Sequence, residues 1–273
     1  MSHLLVGNGD GRGFYLYFFA VSAIITCINE TEAPVCFRKK RGCHLGSLGT
    51  FLQNFDFMRL ISLLMSVAAS LLCITFHELS HGYVAYRLGD PTAKNLGRLT
   101  LNPIKHIDPL GLLLMITARV GWAKPVPVDM RYFKHPKRDM AITALAGPVS
   151  NFLMAAVSLA LASLMWHMWD WLSSMAASYV LMFFIQVAVL SVGLGLFNLI
   201  PVSPLDGSKI LFSFLPDKWY YTILRYERYV MLLVIALVWL GVFDKPLSFL
   251  IYGGLKGLCA LTRFPFELLL YLL

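Results

Sequence analysis

Long runs of apolar residues alternate with polar, basic loops along most of the chain. The three longest runs cover residues 60–86, 140–166 and 175–200. A helix of about 20 apolar residues spans the hydrocarbon core of a bilayer and satisfies its own backbone groups there. The strands of a membrane barrel would instead alternate apolar and polar residues. The pattern therefore predicts an all-α polytopic membrane protein.

Shorter apolar runs extend this prediction. Residues 228–243 are predicted to form a fourth span, and residues 14–28 are short for one. Residues 246–273 are apolar but interrupted by charges and a proline, so they form either a further span or an interfacial segment. Residues 110–118 are too few to cross as a helix and are predicted to be re-entrant or strand-like. The expected total is about five to six transmembrane helices.

The charges of the loops orient these spans. Ten lysines and arginines fall within residues 87–138, and none falls within residues 167–174. The loop that covers residues 201–228 is basic as well. The positive-inside rule places both basic loops in the cytoplasm and residues 167–174 outside. Residues 110–118 must then dip into the membrane and return, which puts the short re-entrant or strand-like segment near the cytoplasmic face.

Composition agrees with a membrane protein and excludes other classes. The chain is 58% hydrophobic and 14% charged, whereas a soluble domain is about 45–50% apolar and about 25% charged. The net charge of +8 comes from loops that set topology and meet anionic lipid, so no nucleic-acid partner is predicted. The five cysteines show no metal-type spacing and indicate no disulfide framework.

The chain divides into three parts by character. Residues 1–57 form an N-terminal extension of uncertain status, residues 58–243 form the membrane core, and residues 244–273 form a C-terminal membrane-associated segment. The character of the sequence changes at Met58, which also raises the hypothesis that Met58 is the natural start.

The first long helix, predicted over residues 59–88, carries the sequence His77-Glu78-Leu79-Ser80-His81. A charged side chain at the centre of a span costs about 2.5–3.5 kcal/mol, so ionisable groups there indicate function. Histidines four apart lie on one face of a helix, and both can reach one metal ion. A neighbouring glutamate can hold a water against zinc and take its proton. We therefore predict one Zn²⁺ per chain, with Glu78 as the base.

A catalytic zinc needs a third protein ligand, and topology points to Asp206. The first helix and the span at 175–200 both run from outside to inside, so Asn198 and Asp206 reach the depth of the histidines. The alternative for Asp206 is an ordinary turn at the end of a span. Rival ligands on the same side are expected to be surface residues of solvated loops; they are His106, Asp108 and His135.

Several motifs together resemble the site-2-type intramembrane metalloproteases, peptidase family M50, in their compact bacterial branch without PDZ or CBS domains. The similarity covers residues 58–207 well and the C-terminal part loosely. The motifs are Phe-His-Glu-Leu-Ser-His-Gly at 76–82, Gly-Arg-Leu-Thr-Leu-Asn-Pro at 97–103, His-Ile-Asp-Pro at 106–109, Gly-Trp-Ala-Lys-Pro-Val-Pro-Val at 121–128, Ala-Gly-Pro-Val-Ser-Asn at 146–151 and Asn-Leu-Ile-Pro-Val-Ser-Pro-Leu-Asp-Gly at 198–207.

The resemblance implies a role for each site residue. His77, His81 and Asp206 would be the zinc ligands, and Glu78 would activate the attacking water. Asn198 would stabilise the scissile carbonyl, although it can equally be a buried amide that bonds unwound backbone. Asn151 is assigned to helix packing rather than to catalysis. The segments at 97–103 and 123–128 resemble the strand region of the family, whose edge could hold an unwound substrate by backbone pairing.

The predicted activity is that of a zinc-dependent intramembrane endopeptidase. Its substrate would be a membrane protein cut within or next to a transmembrane segment. The expected location is the bacterial inner (plasma) membrane, with the active site toward the cytoplasmic leaflet. The alternatives are an intramembrane zinc-binding transporter and a catalytically inactive membrane scaffold. The complete set of His77, Glu78, His81 and Asp206 favours the protease.

Overall fold

The computed structural model describes residues 57–108, 124–172, 174–203, 205–216 and 240–272, together with isolated positions between 226 and 238. Within these ranges the chain is mostly helical and contains no strand, apart from an isolated β-bridge at Ile107. The helices are α1 (Phe57–Arg87), α2 (Thr92–Asn95), α3 (Pro136–His167), α4 (Trp169–Leu172), α5 (Met175–Asn198), α6 (Asp206–Ser213), α7 (Asp244–Thr262) and α8 (Phe266–Leu272). Short 3₁₀ turns lie at Pro103–His106 and Met130–Tyr132.

Among the described residues, three helices are long and apolar enough to cross a membrane. They cover Leu60–Arg87, Pro136–His167 and Met175–Asn198, which confirms the three longest runs of the sequence as helices. The apolar runs at 14–28 and 110–118 lie outside the described residues. Helix α7 has 19 residues but is not among the three; its sequence includes Asp244, Lys245 and Lys256.

The ends of the helices follow local chemistry. Helix α1 ends at Arg87, and the chain then turns at Gly89, whose φ of 114° favours glycine. Helix α3 begins four residues before the predicted start, because Pro136 is well tolerated in a first turn. The Ser174 hydroxyl accepts a hydrogen bond from the Ala177 N–H at 3.2 Å and caps α5.

Helix α5 is the most enclosed of the three long helices. Its most apolar stretch is 67% buried, against 33% for the corresponding stretches of α1 and α3, so α5 lies inside and the other two face outward more. Polar contacts tie α5 to α1 across the apolar core. The Gln186 Nε2 donates to the Ser66 Oγ at 3.0 Å, and the Cys73 Sγ lies 3.1 Å from the Ser191 Oγ. Such interhelical bonds help to hold helices together in an apolar surrounding.

Helix α3 is the element that joins the two halves of the polar centre. It packs against α1 on one side and against α6 on another. The chain leaves the helical conformation after Asn198 and resumes it at Asp206, as the prolines at 201 and 204 predict. A Cβ at Gly207 would lie under 3.0 Å from backbone atoms of Leu199 and Ile200. The irregular stretch therefore folds tightly against the start of α6.

The loop between α1 and α3 is organised by one arginine. Arg98 is only 8% exposed, and its guanidinium donates to the carbonyls of Lys105, Lys124 and Pro125. The Lys124 N–H also donates to the His106 carbonyl at 2.9 Å. The two ends of the segment at 109–123 therefore lie side by side. That segment itself, which includes the predicted re-entrant piece, lies outside the described residues.

Candidate active site

Two helices bring three ligand atoms to one point. His77 and His81 lie on α1, and Asp206 is the first residue of α6. The Asp206 Oδ2 lies 3.1 Å from the Nε2 of each histidine, and the two Nε2 atoms are 2.9 Å apart. All three side chains are buried. Among the described residues they form the one group of histidine, cysteine or acidic side chains that could hold a metal ion.

The spacing of these atoms fits zinc. Tetrahedral zinc with bonds of about 2.0–2.1 Å separates its ligand atoms by about 3.3 Å, close to the distances of 2.9–3.1 Å between the three atoms. Two imidazoles and one carboxylate are also a donor set that catalytic zinc sites use, with a fourth position left for water. Such a crowded group of unshared electron pairs is stable when a cation lies between them.

A glycine on α3 makes room for the two histidines. Gly147 is buried, and a Cβ at this position would lie under 3.0 Å from both imidazole rings. The small residue at this position thus lets α1 and α3 approach closely. The helix continues through Pro148, so the approach does not require a break in α3.

Each of the three side chains has a second polar atom that points away from the cluster and contacts another group. The His81 Nδ1 lies 2.7 Å from the Thr143 carbonyl, to which it donates, so that its Nε2 presents a lone pair to the cluster. The Asp206 Oδ1 accepts from the Lys209 Nζ at 3.2 Å, which leaves Oδ2 for the histidines. His77 has such a neighbour as well, because the Asn151 carboxamide lies 2.9 Å from its Nδ1.

Glu78 is held by the loop rather than by a helix. Its Oε2 accepts a hydrogen bond from the Val126 N–H at 2.7 Å, and the residue is 1% exposed. The Oε1 is buried and has no hydrogen-bond partner among the described residues. Burial lowers the pKa of the Arg98 guanidinium that anchors this loop, and the charge of Glu78 opposes that shift. The glutamate therefore belongs to a network of loop backbone and arginine.

The structure places the remaining predicted residues as follows. Asn198 is buried at the end of α5, where its Nδ2 donates to the Leu194 carbonyl at 2.8 Å. His135 is exposed and Asp108 is half-buried, and neither joins the metal group. The expectation that His106 is a surface residue is wrong: it is 1% exposed, because the loop folds over it and its Nε2 bonds the Thr100 carbonyl at 2.9 Å.

Sequence reasoning missed the contact between Asn151 and His77. The assignment of Asn151 to packing overlooked that it lies four residues after Gly147 and shares its face of the helix. The sequence does not show that this face of α3 meets the histidines, so the contact could not be predicted from it. Val126 was missed for another reason, because the group that meets Glu78 is a backbone N–H and carries no side-chain signature.

Comparison with known proteins agrees with this geometry. Residues 65–241 match Peptidase family M50. The chain is 45% identical to "Putative zinc metalloprotease YwhC" of Bacillus subtilis (strain 168) over 55% of this chain and 68% of that protein. It is 29% identical to "Putative zinc metalloprotease Rip2" of Mycolicibacterium smegmatis (strain ATCC 700084 / mc(2)155) over 64% of this chain and 66% of that protein. No solved structure matches the chain.

These matches bear on the predictions made from the sequence. The resemblance to site-2-type metalloproteases is confirmed, and so is the expectation of a zinc-dependent intramembrane protease at the level of the family. The apolar helices and the family together make this an integral membrane protein. Neither the transporter nor the inactive scaffold is favoured. Because the family match covers more than half of the residues, the chain belongs to peptidase family M50.

Proposed function

We propose that His77, His81 and Asp206 hold the catalytic zinc of an intramembrane endopeptidase through the two Nε2 atoms and Oδ2. The observation that carries this proposal is the convergence of ligand atoms from residues 129 and 125 positions apart in the chain. Bound zinc would lower the pKa of a water to about 7 and polarise the scissile carbonyl. In this proposal the protein's own groups move the proton of the water and hold the substrate.

Glu78 acts as the general base in this proposal. Its carboxylate takes the proton of the attacking water and later donates it to the amine that leaves. The bond from the Val126 N–H supports this role, because it holds one oxygen and leaves Oε1 without another partner among the described residues. A carboxylate with one oxygen fixed and the other available is suited to accept a proton in a defined direction.

Asn198 would stabilise the oxyanion that forms at the scissile carbonyl. It is buried at the end of α5 and precedes Asp206 by one irregular stretch. Its Nδ2 now donates to the Leu194 carbonyl, so the proposal requires that this bond be exchanged for one to substrate. If Asn198 only satisfies the backbone, Asn198→Asp and Asn198→Ser will change stability without changing the cleavage rate of folded protein.

The proposed substrate is a membrane protein that is cut within or next to a transmembrane segment. A helix must unwind before its carbonyl can be attacked, so segments with glycine, proline or other weak helix formers would be cut preferentially. The segment after Lys124 offers a place for such an unwound strand. It is not helical at 124–129. Its backbone already donates one hydrogen bond, from the Val126 N–H to the Glu78 carboxylate.

The membrane topology of the proposal extends beyond the three described spans. It has about five to six transmembrane helices, a re-entrant piece at 110–118 and the active site toward the cytoplasmic leaflet of the bacterial inner membrane. The pairing of Lys124 with His106 supports a segment that returns to its point of departure. The proposed division remains an extension at 1–57, a protease core at 58–243 and a membrane-associated segment at 244–273.

Substitution of the base tests the function. In cells that produce Glu78→Ala protein, crosslinking should capture the uncut substrate, which then serves for assays in detergent or liposomes. We expect Glu78→Gln to retain one zinc per chain and to lose cleavage by at least about a thousandfold, as expected for a group that moves the reacting proton. Glu267→Gln, at an exposed position of α8, is the matched control and should cleave normally. Unchanged cleavage by Glu78→Gln would refute the assigned base.

A further inference from the structure

The side chain of Asn151 is buried against one of the proposed zinc ligands. It is 0% exposed, and the amide end placed 2.9 Å from the His77 Nδ1 is Nδ2. The amide Oδ1 has no hydrogen-bond partner among the described residues. The two ends of a carboxamide have nearly the same shape, and either can face a neighbour. Because its one described hydrogen bond is to His77, that histidine decides which end Asn151 presents.

The requirement of the metal settles the orientation. A histidine that binds zinc through Nε2 carries its proton on Nδ1, and this proton needs an acceptor. An amide N–H₂ directed at Nδ1 would instead keep the proton on Nε2, where it would face the Asp206 Oδ2. With Oδ1 directed at Nδ1, the Nε2 lone pair faces the metal. The other histidine has this arrangement, since the His81 Nδ1 donates to the Thr143 carbonyl.

We infer that Asn151 is a positioning residue, whose carbonyl oxygen accepts the Nδ1–H of His77 and fixes the tautomer and ring orientation that bind zinc. This inference rests on the proposed metal site and extends it by one residue. Asn151 and Thr143 then act alike, because both lie on α3 and each offers an acceptor to one histidine. Helix α3 therefore provides the outer support of both imidazole ligands, in addition to the space at Gly147.

Two substitutions separate this role from packing, because the two explanations predict opposite orders. Leucine has the branched shape of asparagine, with somewhat larger methyl groups, but accepts no hydrogen bond, whereas aspartate accepts one and brings a charge. As a positioning residue, Asn151→Leu should weaken zinc binding about 10–100-fold, and Asn151→Asp should stay within a few-fold of wild type. As a packing residue, Asn151 should tolerate leucine and not a buried carboxylate.

The measurement is the zinc dissociation constant of purified full-length protein, obtained by competition with a chromophoric chelator. The absorption spectrum of the Co²⁺-loaded protein reports ligand geometry independently of cleavage. Ser158→Ala, at another buried polar position of α3, is the matched control and should leave both unchanged. Should Asn151→Leu fail to fold, Asn151→Ala replaces it with the same expectation.

The outcomes are distinguishable. Weakened zinc binding with leucine and retained binding with aspartate supports the inference. The reverse order overturns it, as does a loss with both or with neither. His77→Ala tests the underlying metal site separately: if it binds zinc as tightly as wild type, the proposed ligands are wrong. If His77→Ala loses zinc while Asn151→Leu does not, the metal site stands and the role of Asn151 alone is refuted.

Discussion

The proposed zinc-binding histidines and the proposed catalytic base are neighbours on α1 but are supported by different kinds of structure. His77 and His81 are backed by groups of α3, an amide and a backbone carbonyl. Glu78, which is adjacent to His77 in sequence, is held by the N–H of Val126 in a loop that Arg98 anchors. The metal site is therefore built into helix packing, while the base depends on a segment outside the helices.

This difference suits the chemistry that each part performs. A metal site needs ligands that keep their positions within fractions of an ångström, and packed helices provide this. In the proposed mechanism the base works next to a substrate that enters as an unwound strand, and loops rearrange at lower free-energy cost than packed helices. On the proposed mode of binding, a substrate strand that pairs with the segment after Lys124 would shift Val126 and thus Glu78 without disturbing the proposed ligands.

The largest effect is expected from closing the space on α3. The Cβ of Gly147→Ala would lie under 3.0 Å from both imidazole rings, so the ligands must separate. We expect loss of bound zinc and of cleavage, with the helical content of the protein retained. Metal analysis and circular dichroism of the purified protein check this. Gly253→Ala is the control, since its Cβ would meet nothing within 4 Å. A Gly147→Ala protein with full zinc content would show that the metal site does not depend on the close packing of α1 against α3.

An intermediate effect is expected from the loop. Arg98→Lys keeps a charge but replaces a planar group that bonds three carbonyls by one that cannot reach them all. Because the Val126 N–H then loses its fixed position, we expect the cleavage rate to fall about 10–100-fold while zinc content is unchanged. The physical reason is the misplacement of a base by a fraction of an ångström. Metal analysis and single-turnover cleavage of the captured substrate measure the two quantities.

Arg131→Lys provides the comparison for the loop. Arg131 is exposed and pairs with Asp129 at the surface. The Arg131→Lys protein should therefore cleave at the wild-type rate. If Arg98→Lys instead loses zinc in proportion to activity, the loop supports the ligands as well, and the division between the two halves of the site is wrong.

The long spans could be predicted from the sequence, and so could the meeting of His77, His81 and Asp206. The apolar runs exceed the length of a span, and the prolines at 201 and 204 require the chain to unwind before Asp206. The contacts around the ligands were harder to predict. Helices α3 and α5 are apolar on all sides, so periodicity does not reveal which face of each turns inward. The position of Asn151 against His77 depends on that rotation.

The loop contacts were out of reach for a different reason. The burial of His106 and the bond from Val126 to Glu78 depend on how the loop folds back on α1, and both use backbone groups as partners. Every residue except proline carries a backbone N–H, so no residue type marks the one that will meet a carboxylate. Arg98 was counted as a loop charge that orients the protein, and its burial among three carbonyls shows that it also builds the site.

The smallest effect is expected from changing Lys209, which supports the proposed ligand Asp206 from the surface. Its Oδ1 accepts from the Lys209 Nζ at 3.2 Å, and the lysine side chain is 37% exposed. A partly exposed ion pair contributes at most about 1 kcal/mol, so Lys209→Met should weaken zinc binding no more than about fivefold. Lys209→Arg should bind zinc as wild type does, and added salt should reduce the difference between methionine and lysine. If Lys209→Met loses as much zinc affinity as is expected for Asn151→Leu, the Asp206 carboxylate depends on its outer partner as much as His77 does. The proposed difference between the histidines, which α3 supports, and Asp206, which a surface lysine supports, would then be wrong.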